Sequence, residues 1–333
     1  MTYQVAVLGA GSFGTALAIH LARRGASVRL WGRDAAQMAE IQQQRENARY
    51  LPDCPLPAKL LADADLAAAV ADSDDLLLAT PSHALRGMLS TLQPLLKAGQ
   101  GLAIACKGLE PDSGKLIHEV VADVLGAAHP FSVISGPTFA KELGLGLPTA
   151  VTIASDDRHY AEKFAHLLHG DGFRAYWSED LPGVEIGGAA KNVMAIGVGI
   201  ADGLGLGANT RAALITRGLA EMMRLAEALG GKAETLMGLS GMGDLVLTCT
   251  DNQSRNRRMG LLLAQNKSVA EASAEIRQVV EGVKAAPEVL RVAQRLGVEM
   301  PITTAVAAVL TGRISAVEAV AQLAKRPAKA ELT

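Results

Sequence analysis

Six residues near the start of the chain, GAGSFG at 9–14, have the types and spacing to hold a phosphate group. They fit G-x-G-x-x-G, with the strand-like run VAVL before them and the helix-like run TALAIHLARR after. Gly9 permits a tight turn, Gly11 lets backbone touch a pyrophosphate, and Gly14 lets a helix pack close to the strand. The helix N-terminus adds free N–H groups and a positive dipole end, and Ser12 a hydroxyl. A packing turn is the bland alternative; the strand-turn-helix context favours a dinucleotide. The next strand-like run ends LWGRD at 30–34. NAD sites usually carry an acid near this strand end, but Gly32 occupies the tip and Arg33 follows. A guanidinium suits a 2′-phosphate, so NADPH is expected over NADH, with Asp34 pulling the other way. The alternative for Arg33 is an ordinary solvated charge.

A second set of polar residues sits where apolar ones would be expected. ACKGLE at 105–110 puts Lys107 at the end of a strand-like run, and SGPTFAK at 135–141 does the same with Gly136, Thr138 and Lys141. In an open α/β sheet, ligands sit beyond the carboxyl ends of the strands. Within GGAAKNVMA at 187–195, Lys191 is surrounded by small and apolar residues. Burial of an ammonium lowers its pKa, which suits a proton-transferring amine; a lysine snorkelling from an amphipathic helix is the plainer reading. Asp244 lies in the apolar run LSGMGDLVLTCT, and a buried carboxylate wants a cationic or N–H partner such as Lys191. Ser254, Arg255 and Asn256, with Arg257 and Arg258, make the densest positive segment, suited to a small phosphate. His83 follows TPS and could approach a cofactor; the other histidines read as surface or helix residues, and none is expected to be catalytic.

These residues need elements to position them. Strand-like runs at 5–9, 27–32, 75–80, 101–107, 131–136 and 149–155 alternate with helical patterns at Ser12–Arg24, Ala35–Gln44, His83–Leu96 and Gly114–Leu125. Several runs are apolar at successive residues, as in parallel strands covered on both faces. The expected fold is α/β, a doubly wound parallel sheet over 1–185, then an all-helical substrate-binding domain over 186–326 and a loosely ordered tail at 327–333. Helical spacing recurs at Gly188–Ala201, Thr210–Leu229, Ser254–Ala264, Val269–Glu275, Ala285–Leu296 and Ile302–Leu310. With 32 basic and 34 acidic residues and few aromatics, the chain has no nucleic-acid signature. No uninterrupted apolar stretch reads as a membrane span, and no secretory signal is evident. The three cysteines, far apart and without CxxC, read as reduced thiols of a cytoplasmic protein, and no ligand spacing for a metal is present.

GAGSFGTALA, ISGPTFAKE, GGAAKNVMAIG and above all GDLVLTCTDNQSRNRR resemble the bacterial NAD(P)-dependent glycerol-3-phosphate dehydrogenases, from Val5 to about Ile302. The resemblance implies an N-terminal Rossmann domain and a helical C-terminal domain like that of 6-phosphogluconate dehydrogenase, with the active site in the cleft between them. It implies reversible reduction of dihydroxyacetone phosphate to sn-glycerol 3-phosphate, for phospholipid synthesis. The family's proton-transferring lysine falls on Lys191, helped by Lys107 and Asp244. Its substrate contacts fall on Lys107, Gly136, Thr138, Lys191, Asp244, Ser254, Arg255 and Asn256. Its cofactor contacts fall on Ser12, Phe13, Arg33, Tyr50, Lys107, Ala140, Arg255, Val279 and Glu281, beside Gly9, Gly11 and Gly14. Phe13 stands where many members have tryptophan, and Asp34 where some have a second basic residue. The resemblance also suggests a homodimer. The rivals are another two-domain NADP-dependent reductase, 6-phosphogluconate-like or ketopantoate-like, and a non-catalytic NADPH sensor.

Overall fold

The computed structural model describes residues 2–170, 172–328, 330 and 331. Of the tail expected to be loose, Lys329, Leu332 and Thr333 lie outside the described residues. The chain divides into two compact units, Met1–Glu185 and Ile186–Thr333.

Among the described residues the first unit has ten strands: β1 (Gln4–Leu8), β2 (Ser27–Trp31), β3 (Glu46–Asn47), β4 (Leu51–Pro55), β5 (Leu60–Asp63), β6 (Asp75–Leu78), β7 (Gly101–Ile104), β8 (Phe131–Ser135), β9 (Thr149–Ala154) and β10 (Phe173–Ser178). Between them run α1 (Ser12–Arg23), α2 (Ala35–Gln44), α3 (Leu66–Ala71), α4 (Leu85–Leu92), α5 (Ile117–Leu125), α6 (Ala140–Leu145) and α7 (Arg158–Leu168). The main sheet has the order β10-β9-β8-β7-β6-β1-β2-β5, and β3 and β4 form a separate antiparallel pair. Neighbours in the main sheet are parallel except β8 and β9. The stretch β5-β2-β1-β6-β7-β8 is the doubly wound Rossmann arrangement, and its strand order reverses between β1 and β6.

The apolar runs explain this sheet. Val5 and Val7 enter one core cluster with α1, while Ala6 and Leu8 enter another with residues of α4 and α5. Successive side chains of a strand point to opposite faces, so a strand apolar throughout requires cover on both. The elements that sequence patterning passes over are short or half-polar. They include β5, the β3–β4 pair, the exposed edge strand β10, and α7, although Tyr160, Phe164 and Leu168 form a buried stripe on it.

The second unit is helical: α8 (Leu181–Gly203), which begins within the first, α9 (Gly207–Ala228), α10 (Ala233–Leu236), α11 (Asp244–Thr250), α12 (Arg255–Ala264), α13 (Val269–Ile276), α14 (Glu281–Arg295), α15 (Pro301–Leu310) and α16 (Ala316–Ala324). A π-type turn at Leu239–Gly243 leads into α11. By length and composition α8 could cross a bilayer, but 94% of its most apolar window is buried inside the protein, so its apolar surface is core.

Each unit holds a buried glutamate that caps a neighbouring helix. Glu185 accepts from the Ile117 and His118 amides at the start of α5, at 3.0 and 3.1 Å. Glu221 accepts from the Ile302 and Thr303 amides at the start of α15, at 2.6 and 3.1 Å. These bonds satisfy amides that a helix leaves open at its first turn. Burial pushes both carboxyl groups up, against the pull of those bonds.

Candidate active site

In the first unit, the glycine turn joins the end of β1 to the start of α1. Gly9 has φ +125°, and a Cβ there would lie 2.7 Å from the Ala79 carbonyl oxygen. At Gly14 a Cβ would lie 2.0 Å from the Gly9 oxygen, so α1 starts directly on the turn. At Gly11 a Cβ would meet nothing within 4 Å. Two glycines are therefore needed by the fold, and the third leaves its backbone open to a ligand. Gly11 caps α1 without a side chain, and the first turn carries no acid, so its amides face outward beside a positive dipole end. This cradle fits a dinucleotide pyrophosphate.

The segment after α2 is bolted to this turn. Buried Asn47 donates to the Ala10 carbonyl at 3.0 Å and to Thr15 Oγ1 at 2.8 Å. Ser12 donates its hydroxyl to the Tyr50 carbonyl at 2.7 Å. Phe13 is half-buried against the core. Arg33 is exposed and has no hydrogen-bond or ion-pair partner among the described residues. Asp34 caps α2, accepting from Ala36 and Gln37 amides at 3.1 and 3.2 Å.

At the carboxyl ends of β7 and β8, Lys107 Nζ donates to the Gly136 carbonyl at 3.2 Å. Thr138 Oγ1 nearby in sequence is buried without a partner among the described residues, as are the hydroxyls of Thr80 and Ser135. Three orphan hydroxyls follow or end strands of the same sheet edge, which is the ligand edge of this architecture. Ala140 opens α6 and is half-buried. Lys141 does not join Lys107: its ammonium bonds Asp53 at 2.7 Å and so serves the β4 segment.

In the second unit, Lys191 lies on α8 with its side chain 8% exposed, ion-paired to Asp244, whose side chain is 1% exposed. Lys191 also donates to Thr248 Oγ1 at 3.0 Å, and Thr248 donates to the Asp244 carbonyl at 2.6 Å. The local sequence makes this approach possible. Gly187 stands one helical turn before Lys191, and a Cβ on it would lie 2.4 Å from the Ser240 carbonyl. Only glycine lets α8 meet the π-type turn closely enough for the lysine to reach the start of α11. Thr248 escaped the sequence reading, though it lies four residues after Asp244 and so on the same helix face.

A second polar chain adjoins on α8. Asn256 donates to Asn192 Oδ1 at 2.8 Å and accepts from the Gly282 amide at 2.8 Å, while Asn192 donates to Glu281 at 3.1 Å. Asn256 is thus committed to joining α8, α12 and α14. Ser254 caps α12 by accepting from the Arg257 amide at 3.2 Å. Arg255 is half-exposed at the first position of that helix, and Val279 is exposed just before α14. The expected positive patch is smaller than the sequence implied. Arg257 is buried and ion-paired to Asp202, which also holds Arg211 at 2.9 Å, so Arg257 carries structure.

His20, read as a surface or helix residue, lies in α1, where it is buried, stacks on Phe173 and bonds the Leu168 carbonyl at 2.7 Å. His118 is engaged with Glu185. Among the described residues no group of three or more His, Cys, Asp or Glu could hold a metal ion.

A Rossmann unit with an open glycine cradle, and a helical unit with a buried, partnered lysine, define the class of two-domain nicotinamide-dependent oxidoreductases. Two family models match: the N-terminus of NAD-dependent glycerol-3-phosphate dehydrogenase over residues 4–161 and its C-terminus over 180–321. A glycerol-3-phosphate dehydrogenase [NAD(P)+] of Xanthomonas euvesicatoria is 53% identical over 330 residues, 99% of this chain and 97% of that one. One from Stenotrophomonas maltophilia is 53% identical over 328 residues, 98% and 96% of the two chains. The crystal structure of a glycerol-3-phosphate dehydrogenase from Coxiella burnetii superposes with a TM-score of 0.94 at 46% identity, covering 98% of this chain and 99% of that one. The chain belongs to the NAD-dependent glycerol-3-phosphate dehydrogenase family.

Proposed function

We propose that the protein reduces dihydroxyacetone phosphate to sn-glycerol 3-phosphate, reversibly, with NADPH preferred and NADH usable. The observation that carries this reading is the buried Lys191–Asp244–Thr248 set. An ammonium held this way is aimed and kept from bulk water, as a proton donor to a developing alkoxide must be. Bound NAD(P)H supplies the hydride. Lys191 Nζ gives the proton to the substrate oxygen, and in the reverse direction takes it back. Asp244 and Thr248 fix the direction of the lysine. Lys107, just beyond β7, would offer a positive charge at the ligand edge of the first unit's sheet. Arg255, at the amino end of α12, holds the substrate phosphate with the help of the helix dipole. Binding energy from that remote group then serves to position the reacting carbon.

The turn shaped by Gly9 and Gly14 would hold the cofactor pyrophosphate at Gly11 and the first amides of α1, and Arg33 would hold the 2′-phosphate. Ser12 and Tyr50 hold the wall of that site through their own hydrogen bond. Glycerol 3-phosphate made this way would supply glycerophospholipid backbones. The three cysteines are buried and form no disulfide, which suits a reducing compartment such as the cytoplasm. A homodimer remains part of the proposal from family resemblance.

The test is loss of absorbance at 340 nm when purified protein meets dihydroxyacetone phosphate with NADPH or NADH. Oxidation of NADPH dependent on that substrate is expected, faster than that of NADH. Oxidation with a branched 2-keto acid but none with dihydroxyacetone phosphate would replace this reading with a ketopantoate-type one.

A further inference from the structure

Lys107 stands at the root of the loop joining β7 to α5, and the flexible stem of a lysine needs a fixed backbone to aim it. The far part of that loop closes on itself. The Glu110 amide donates to the Lys115 carbonyl at 2.9 Å, and the Gly114 amide donates to the Glu110 carbonyl at 3.0 Å. Ser113 donates its hydroxyl to Glu110 Oε2 at 2.6 Å. Glu110 is thus the residue through which the loop is gripped from outside. Arg86, on the first turn of α4, grips it with a fork: Nε donates to Glu110 Oε1 at 2.6 Å and Nη2 to Glu110 Oε2 at 3.0 Å. The same Nη2 donates to Asp123 of α5 at 2.8 Å, and Lys115 pairs with that aspartate. The guanidinium holds the Glu110 carboxyl below its ordinary range.

We infer that Arg86 is a positioning residue for Lys107: its fork on Glu110 fixes the loop so that the Lys107 ammonium stays on the Gly136 carbonyl at the ligand edge. The inference rests on the reading of Lys107 as a charge that serves the ligand at that edge. The backbone on both sides of Lys107 is pinned. Before it, the Ala105 amide bonds the Leu78 carbonyl at 2.8 Å. After it, Gly108 has φ +133°, and a Cβ there would lie 2.8 Å from Ser82 Oγ, in the turn that leads into α4. Two residues further on comes the fork. The geometry serves position more than stability. The Arg86 side chain is 40% exposed, and an exposed ion pair contributes little to folding. A fork on one carboxylate, with a second acid on the same guanidinium, sets a direction that a single charge contact does not.

The test is a double-mutant cycle on kcat/KM for dihydroxyacetone phosphate, beside a crystal structure of Arg86→Gln. Lys107→Ala alone should cost roughly a hundredfold, as loss of an electrostatic donor does. Arg86→Gln alone should cost roughly tenfold, as a misplaced group does. The double variant should match Lys107→Ala within about a factor of two, because an absent lysine cannot be misplaced. In the crystal, Lys107 Nζ should have left the Gly136 carbonyl. Glu110→Gln breaks the same fork from the loop side and takes the place of Arg86→Gln in both measurements if that variant does not fold. Costs that multiply to roughly a thousandfold would mean that Arg86 acts through its own charge or through the fold, and would overturn the inference. An unmoved Lys107 in the variant crystal would overturn it too. A wild-type rate in Lys107→Ala would remove Lys107 from the reaction and the inference with it. Wild-type protein that leaves dihydroxyacetone phosphate unreduced, with Lys107 displaced in the variant crystal, would remove the proposed substrate and leave the positioning role standing.

Discussion

The glycine turn and the Lys191 cluster are built on opposite plans. The turn offers a ligand almost nothing but backbone: amides at the start of α1, a dipole, and one position, Gly11, where side-chain space is empty. The cluster is made of side chains, nearly all buried, each committed to another. Backbone sites tolerate little change at the glycines but ask little of their neighbours. Side-chain sites need every partner, because an unpaired buried charge or amide costs more than the pair was worth. The difference predicts that damage to the turn appears in binding, and damage to the cluster in turnover.

The largest effect should come from Lys191→Met. It removes the proton donor while keeping an unbranched side chain, and leaves Asp244 buried without its cation. Turnover should fall by roughly a thousandfold, the range of a lost general acid, with NADPH binding within a few-fold of wild type. Steady-state kinetics and a fluorescence titration on one preparation measure both. A parallel loss of NADPH affinity would show that the two sites are not separable as argued.

Next come two glycines that should fail in different ways. Gly11→Thr places a Cβ in open space, in an extended backbone conformation any residue adopts, and threonine caps a helix about as well as glycine. Its melting temperature should hold while NADPH affinity falls about a hundredfold, since the pyrophosphate loses its close approach to backbone. Gly14→Ala drives a Cβ against the Gly9 carbonyl and should lose about 1–3 kcal/mol of stability, seen as a lower denaturation midpoint. If Gly11→Thr melted early and Gly14→Ala did not, the assignment of one glycine to ligand and the other to fold would be reversed.

The same contrast explains what could be read from sequence. The turn was legible because its requirement is steric and local, and glycine spacing beside a strand and a helix states it directly. The sheet was legible because strands covered on both faces are apolar throughout. The cluster was legible only in part. Lys191 and Asp244 stand out as charges in apolar runs, but their contact spans 53 residues and no local rule pairs them. Asn47, which fastens the β3 segment to the glycine turn across 37 residues, gave no local signal. Arg257 looked like a ligand because sequence shows its charge and hides Asp202, the partner that uses it. Asp34 looked like an ambiguous cofactor signal until its position showed that one of its oxygens caps a helix.

Thr248 gives the finest test of the side-chain plan. Its hydroxyl accepts from Lys191 and donates to the Asp244 carbonyl within its own helix, so it restrains the lysine without carrying charge. Thr248→Val preserves shape and removes both bonds. If orientation of the ammonium matters beyond its pairing with Asp244, turnover should drop about tenfold with KM for dihydroxyacetone phosphate nearly unchanged, because the loss falls on the transition state. Thr248→Ser, which keeps the hydroxyl, should restore most of the rate. Equal rates for all three proteins would mean that Asp244 alone aims the lysine, and that the cluster depends on one partner, as the glycine turn depends on one open position.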